Sequence, residues 1–163
     1  MKHTSDLWPR ALLAGVISTT VFTALLTLAP VAGSPTLNVA LWDGTLITLN
    51  LRLAAVLGYI LEILGATLVA YEYQKWLSPR LKGSPWSKGM ALGGALWIFW
   101  MIIGLPLFDL VSPLVNNGLM LAPGIFASNF GATSSLFFLL SLLAFGLAIS
   151  WLADTPVGYR SYR

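Results

Sequence analysis

The sequence predicts an all-α integral membrane protein that forms one domain over residues 1–163 and crosses the bilayer four times. Only 9% of its residues are charged and 57% are hydrophobic, whereas a water-soluble domain carries about 25% charged residues. Four apolar runs occupy residues 11–31, 53–73, 89–108 and 134–153. A helix of about 20 residues crosses a hydrocarbon core of about 30 Å. Backbone polar groups in lipid must bond within their own segment, and the alternation of a membrane barrel is absent, so each run is expected to be a helix.

Helix-start signals precede each run. The expected N-caps are Asp6 for the first helix, which has Pro9 in its first turn, Asn50 for the second, Ser87 for the third, and Thr133 or Ser134 for the fourth. Such side chains accept hydrogen bonds from the free N–H groups of a first turn. Pro106 lacks an N–H group and is therefore expected to end or bend the third helix.

The basic residues predict the orientation in the membrane. Eight of the nine lie at one end of the helices, namely Lys2, Arg10, Lys75, Arg80, Lys82, Lys88, Arg160 and Arg163. Only Arg52 lies near the opposite end. The positive-inside rule assigns the basic end to the cytoplasm. Both termini are therefore expected to be cytoplasmic, in a multi-pass protein of the bacterial cytoplasmic (inner) membrane.

Two long external connections join the helices. In the first, residues 32–50, Asp43-Gly44 is a favoured turn pair between β-compatible flanks, which predicts a short hairpin. The second, residues 109–133, is long for an unstructured connection, and an interfacial or half-inserted helix is expected over residues 112–120. This segment is either a docking surface or ligand-site wall, or a stretch that lies on the lipid surface.

The residue types exclude several kinds of chemistry. The chain has no cysteine and one histidine, His3, at its N-terminal edge. It therefore offers no thiolate nucleophile and no histidine-ligated haem within the membrane. Nine scattered cations also form no basic face for nucleic acid. We expect a protein that is not an enzyme and that has no metal site and no covalently bound or histidine-ligated cofactor.

Glu62 is the main candidate for a functional residue because it lies near the middle of the second helix. An ionised carboxylate at that depth costs about 3 kcal/mol, so Glu62 is expected to be protonated, paired or hydrated. It shares a helix stripe with the small residues Ala55, Gly58, Gly65 and Ala66, which favour close helix contact. Glu62 is therefore expected to face protein, as a hydrogen-bond clamp, a proton-relay carboxylate, or a ligand to a cation or pigment.

Other small and polar residues predict helix packing. Gly89 and Gly93 have the spacing of a close helix–helix contact at the start of the third helix. Thr19, Thr23 and Thr27 recur at four-residue spacing on the first helix. Their hydroxyls either bond within packed helices or line a polar pore.

Two tryptophans lie deeper in the apolar runs than the others. Trp8, Trp42, Trp76, Trp86 and Trp151 are near predicted membrane boundaries and are expected to be interfacial anchors. Trp97 and Trp100 are expected to face lipid, a partner subunit, or a lipid, quinone or pigment bound at a subunit interface.

The arrangement resembles a family of small, poorly characterised bacterial four-helix membrane proteins. The residues that carry the resemblance are 10–15 at the start of the first helix, Pro30 at its end, Lys88-Gly89 with Gly93 at the start of the third, and 104–108 near its exit. The resemblance covers residues 8–153 and implies the four-helix fold. Members of the family often carry membrane histidines, which this chain lacks, so no cofactor role of those histidines is carried over.

By elimination, these features predict a non-catalytic accessory subunit of a larger energy-transducing membrane complex of respiratory or photosynthetic electron transport. Its expected partners are larger membrane subunits and lipids, with Glu62, Gly58, Gly65, Gly89 and Gly93 fixing helix contacts. The alternative is a small homo-oligomeric transporter or channel that uses Glu62 and the threonines as a polar path. A single intramembrane acid makes a poor proton path, which weighs against this alternative.

Overall fold

The computed structural model describes residues 7–35 and 37–154, which form helices and connecting turns without a strand. The α-helices are α1 (Leu7–Leu26), α2 (Val39–Thr45), α3 (Leu51–Glu72), α4 (Pro85–Phe99), α5 (Leu105–Val111), α6 (Pro113–Asn116) and α7 (Ala132–Asp154). Short 3-10 helices lie at Ala29–Ala32 and Ile125–Phe130, and π-helical turns lie at Tyr73–Leu77 and Trp100–Gly104.

Four helical stretches are long and apolar enough to span a membrane, which confirms the predicted all-α fold with four spans. They are Leu7–Ala32, Leu51–Leu77, Pro85–Val111 and Ala132–Asp154. The predicted cap Asp6, the histidine His3 and the terminal cations Lys2, Arg160 and Arg163 lie outside the described residues. The other predicted basic residues lie at one end of the bundle, where α1 and α4 begin and α3 and α7 end. We call this the basic end, and the opposite end, which carries α2 and α6, the loop end.

The predicted hairpin at Asp43-Gly44 is wrong, because these residues lie in α2. Asn38 caps this helix, its Oδ1 accepting a hydrogen bond from the Leu41 N–H at 3.0 Å. Gly44 then packs directly against α3, where a Cβ atom at its position would collide with the Ala54 carbonyl. The glycine therefore serves a close helix contact rather than a turn, and this tertiary contact overrides the local turn preference.

Two of the predicted helix starts are shifted. Asn50 caps α3 as predicted, its Oδ1 accepting from the N–H groups of Arg52 and Leu53 at 3.2 and 3.3 Å. The third helix is capped by Ser84 rather than Ser87, since Pro85 is well suited to a first helical position. The fourth begins at Ala132, so Thr133 and Ser134 lie inside its first turn rather than before it.

The third span does not end at Pro106. The helix passes from α4 through the π-helical turn Trp100–Gly104 into α5, whose first turn contains Pro106. Pro106 follows directly on this π-helical turn, where the regular α-helical hydrogen-bond pattern is already interrupted, so a residue without an N–H group is tolerated there. The helix predicted over residues 112–120 is also shorter than expected. Only Pro113–Asn116 is helical, because Gly118 adopts a left-handed φ of 68° and the Leu119 N–H returns to the Leu114 carbonyl at 2.8 Å.

The four spans form a row in the order α3, α1, α7, α4. The central pair α1 and α7 pack against each other, α3 packs on α1, and α4 packs on α7. Phe22 of α1 lies edge-on to Phe138 and Phe145 of α7, with ring centroids 5.7 and 6.2 Å apart. The flanking helices α3 and α4 are not packed against each other. Their separation leaves a cleft over the central pair.

Candidate functional site

The candidate functional site is this cleft between α3 and α4, with α1 and α7 as its floor. It encloses about 240 Å³. Its acidic and hydroxyl side chains are Thr19, Asp43 and Glu62, and its aromatic side chains are Phe22, Phe99, Trp100 and Phe145. Phe99, at the edge of the cleft, is 49% exposed. The cleft lies between α3 and α4, which belong to two of the four stretches long and apolar enough to span a membrane.

Glu62 projects into the cleft near the middle of the span Leu51–Leu77. Its Oε2 accepts a hydrogen bond from the Thr23 hydroxyl at 3.3 Å, and its backbone carbonyl accepts one from Thr19 at 3.4 Å. The other carboxyl oxygen, Oε1, is buried without a hydrogen-bond partner among the described residues. An unsatisfied buried polar atom is costly. The Glu62 carboxyl group therefore has hydrogen-bonding capacity that the described residues do not use.

Asp43 reaches the same cleft from α2, a placement that sequence reasoning missed by assigning it to an external turn. Burial raises the pKa of Asp43 to about 6. The Asp43 and Glu62 side chains line the same cavity. A signal for this placement was present in the sequence: the four-residue spacing of Ala40 and Gly44 matches that of Ala54 and Gly58.

Those two pairs of small residues hold α2 against α3. A Cβ at Gly58 would collide with the Ala40 carbonyl, and one at Gly44 with the Ala54 carbonyl. Small residues permit such close backbone approach within a membrane. The contact fixes α2 beside the loop-end half of α3 and so places Asp43 in the cleft that Glu62 also lines.

A second cavity of about 150 Å³ lies on the loop-end side of Glu62. Its polar residues include Thr23, Thr27, Asn38 and Glu62. Glu62 thus borders both cavities. The threonines predicted to line a polar pore are divided between them, with Thr19 in the cleft and Thr23 and Thr27 in the second cavity.

The remaining predicted residues fall in different places. Gly65 and Trp100 line the cleft with Glu62. Gly65 has no atom within 4 Å of the position that a Cβ would take, so it lies at an open surface rather than in a helix contact. Trp97 lies elsewhere, where its Nε1 donates to the Ser135 carbonyl at 3.3 Å and its ring packs at 5.6 Å from Phe126.

Gly89 and Gly93 lie in the contact between α4 and α7. A Cβ at Gly93 would collide with the backbone at Leu142 and Leu143, and one at Gly89 with Ser150 and Leu147. From the other side, Gly146 lies directly against the backbone of both glycines. These residues set the position of α4, and through it the wall of the cleft.

A polar cluster at the basic end was also missed by sequence reasoning. The Lys88 ammonium lies 3.2 Å from Asp154 Oδ2, and the side chains are only 13% and 14% exposed. The hydroxyls of Tyr73 and Ser78 donate to the same carboxylate. The cluster joins the ends of α3, α4 and α7. The partners of Asp154 lie on other helix ends, far from it along the chain, so the pairing could not be read from the sequence.

Comparisons with protein-family models, curated proteins and solved structures found no match to this chain. Within residues 7–35 and 37–154 there is also no group of three or more histidine, cysteine or acidic residues that could hold a metal ion. The function is therefore argued from the cleft itself, and the family resemblance stays a prediction.

Proposed function

We propose that this protein is a small membrane carrier that takes a lipid-soluble molecule from the bilayer into the cleft and exchanges it against a proton. The observation that carries the proposal is the presence of two carboxyl groups, Glu62 and Asp43, in one apolar cavity between α3 and α4. The sequence weighed against a transporter because it offered a single intramembrane acid. The second acid removes that objection.

The geometry supports movement as well as storage. The cleft lies between two helices that are not packed on each other, so a molecule can enter from the side. Glu62 stands between the cleft and the second cavity, which extends toward the loop end. A carboxyl group in an apolar setting changes protonation when an oppositely charged or hydrogen-bonding partner arrives or leaves. Such a change is what couples solute to proton.

For the orientation we propose cytoplasmic termini in a bacterial cytoplasmic membrane, following the positive-inside rule. The described cations Arg10, Lys75, Arg80 and Lys82, together with the paired Lys88, lie at the basic end, and Arg52 at the loop end. The second cavity would then lie on the external side of Glu62.

Filling the cleft tests the proposal even while the solute is unidentified. Gly65→Trp places an indole in open space at the cleft. We expect native mass spectrometry of protein purified in a mild detergent to detect a bound small molecule on the wild type and not on Gly65→Trp. Gly94→Trp is the matched control, because Gly94 also has open space beside it but lies outside the cleft. An equal amount of bound molecule on the wild type, Gly65→Trp and Gly94→Trp would refute the carrier proposal.

A second candidate is the accessory subunit of a larger energy-transducing complex. The observation that favours it is the outer face of α4, where Ala91, Gly94 and Ala95 are accessible and Gly94 has no neighbour within 4 Å. Small residues on an unoccupied face suit the close approach of a partner helix.

The accessory-subunit candidate predicts co-migration with larger subunits after extraction from native membranes in mild detergent. Gly94→Leu is expected to abolish that co-migration, since leucine blocks close helix approach. Gly65→Leu is the control on the other flanking helix. Migration of the wild type without larger subunits would speak against this candidate and leave the carrier unaffected.

A further inference from the structure

The ionisable groups of the cleft carry one sign of charge. Among the described residues that line it, Asp43 and Glu62 are the only acids, and none is lysine, arginine or histidine. α1 contributes Thr19 and Phe22, and α7 contributes leucine and phenylalanine. α4 contributes Leu96 and Phe99, and the π-helical turn that follows it contributes Trp100. The described residues that line the cleft therefore supply no cation that could balance either carboxylate.

One oxygen of the Glu62 carboxyl group has no hydrogen-bond partner among the described residues. This oxygen, Oε1, is buried, whereas Oε2 has only the 3.3 Å contact with Thr23. Hydroxyl bonds of this kind orient the carboxyl group but do not neutralise it. A group that binds in the cleft lies against the Glu62 side chain and must be stable next to two acids.

The cleft suits a positive charge on an apolar body. Phe99, the last residue of α4, and Trp100, the first residue of the π-helical turn that follows, line the same cleft as the acids of α2 and α3. Their large apolar rings suit the hydrocarbon part of a solute whose charge lies at the acids. A cation gains a counter-ion when one of these carboxyl groups loses its proton, whereas an anion would be repelled by the ionised group and a neutral molecule would give no reason for the proton to leave.

We infer that the solute is a lipophilic cation, an amphiphile with an ammonium-type head that lies between Glu62 and Asp43 and an apolar part that lies against Phe99 and Trp100. This inference rests on the proposed carrier function, whose solute it specifies. The exchange is one proton for one cation. As the cation arrives, one carboxyl group loses its proton to water, and the resulting carboxylate is the counter-ion of the bound cation. Departure of the cation reverses the step and takes up one proton.

The experiment compares a cation with its neutral isostere. The probes are benzyldecyldimethylammonium and the same molecule with carbon in place of the charged nitrogen. Binding is measured to the full-length protein in phosphatidylcholine nanodiscs and corrected for uptake by empty nanodiscs. We expect the cation to bind at least tenfold more tightly than the isostere, with release of about one proton per bound cation at a pH where the acid is protonated. Binding of the cation is expected to weaken as the pH falls, since protons compete for the same carboxylate.

Substitutions of the two acids test which carboxyl group balances the charge of the bound cation. Glu62→Gln is expected to lower affinity for the cation at least tenfold and to leave the isostere unchanged, because the amide keeps the Thr23 hydrogen bond but cannot become a counter-ion. Asp43→Asn is a second, independent variant in case Glu62→Gln does not fold. Glu72→Gln is the matched control, since Glu72 is an exposed acid at the end of the same helix and does not line the cleft.

The outcomes distinguish a failure of the cationic-solute inference from a failure of the carrier proposal. The inference is wrong if the cation and the isostere bind equally, or if Glu62→Gln and Asp43→Asn both keep full affinity for the cation. The carrier proposal still stands in that case, provided that Gly65→Trp loses the bound molecule seen on the wild type. If Gly65→Trp binds the cation as the wild type does, the site is elsewhere and both proposals fall.

Discussion

Replacing Gly93 by leucine is expected to lower the free energy of unfolding by about 3 kcal/mol or more, because overpacking of a close helix contact forces the backbones apart. At this position even a single Cβ would collide with the backbone of α7 at Leu142 and Leu143. Backbone cannot move aside as a flexible side chain can. The measurement is reversible unfolding of the purified protein in mixed detergent micelles, followed by tryptophan fluorescence.

Gly94→Leu is the control for this prediction. It changes the neighbouring residue of the same helix in the same way, but a Cβ at Gly94 meets no atom within 4 Å. Leucine is also a better helix former than glycine by several tenths of a kcal/mol. We expect Gly94→Leu to unfold at or slightly above the wild-type denaturant concentration. Similar losses in both variants would mean that α4 and α7 are not held together by this contact.

Breaking the Lys88–Asp154 pair is the second large expected effect. Both side chains are mostly buried, and removing one partner of a buried ion pair leaves an unbalanced charge that costs about 3 kcal/mol. Asp154→Asn leaves the Lys88 ammonium with the carbonyl and hydroxyl oxygens of Ser78 but without its counter-charge. Lys88→Met leaves the carboxylate with the hydroxyls of Tyr73 and Ser78 alone. Each single variant is expected to unfold at clearly lower denaturant than the wild type.

The double variant Lys88→Met/Asp154→Asn is expected to be more stable than either single variant, because no unbalanced charge remains. A double-mutant cycle on the free energies of unfolding measures this coupling. Lys82→Met is the control, since Lys82 is an exposed cation of the same connection. Additive losses in the double variant would show that the two side chains do not act as a pair.

The fold was largely predictable from local properties. Span number follows from apolar content and run length, which do not depend on the neighbouring helices, and the Asn50 cap follows from a side chain bonding to its own first turn. The errors came where a distant segment intervenes. Asp43-Gly44 has the composition of a turn, but Gly44 meets Ala54 of the next helix, and that contact decides the conformation.

The candidate site was only half predictable. Glu62 is conspicuous in sequence because a charge in an apolar run is costly. Asp43 is not conspicuous, since an acid in a polar connection is ordinary. Gly65 carried the small-residue signal of a helix contact, yet it faces open space, because the helix that could cover it, α4, packs on α7 instead.

The sequence alone determined that this protein suits a lipid bilayer and has four segments that can cross it. Hydrophobicity and helix length are sums over neighbouring residues and do not depend on which helices pack together. The tertiary structure decided which helices touch, and therefore that α3 and α4 stand apart over a cleft. It also decided that α2 folds back on α3 and brings a second acid into the cleft that Glu62 lines. The physical reason is that glycine and alanine favour close contact without specifying the partner, and only the packing of the whole bundle selects which backbone lies against each of them.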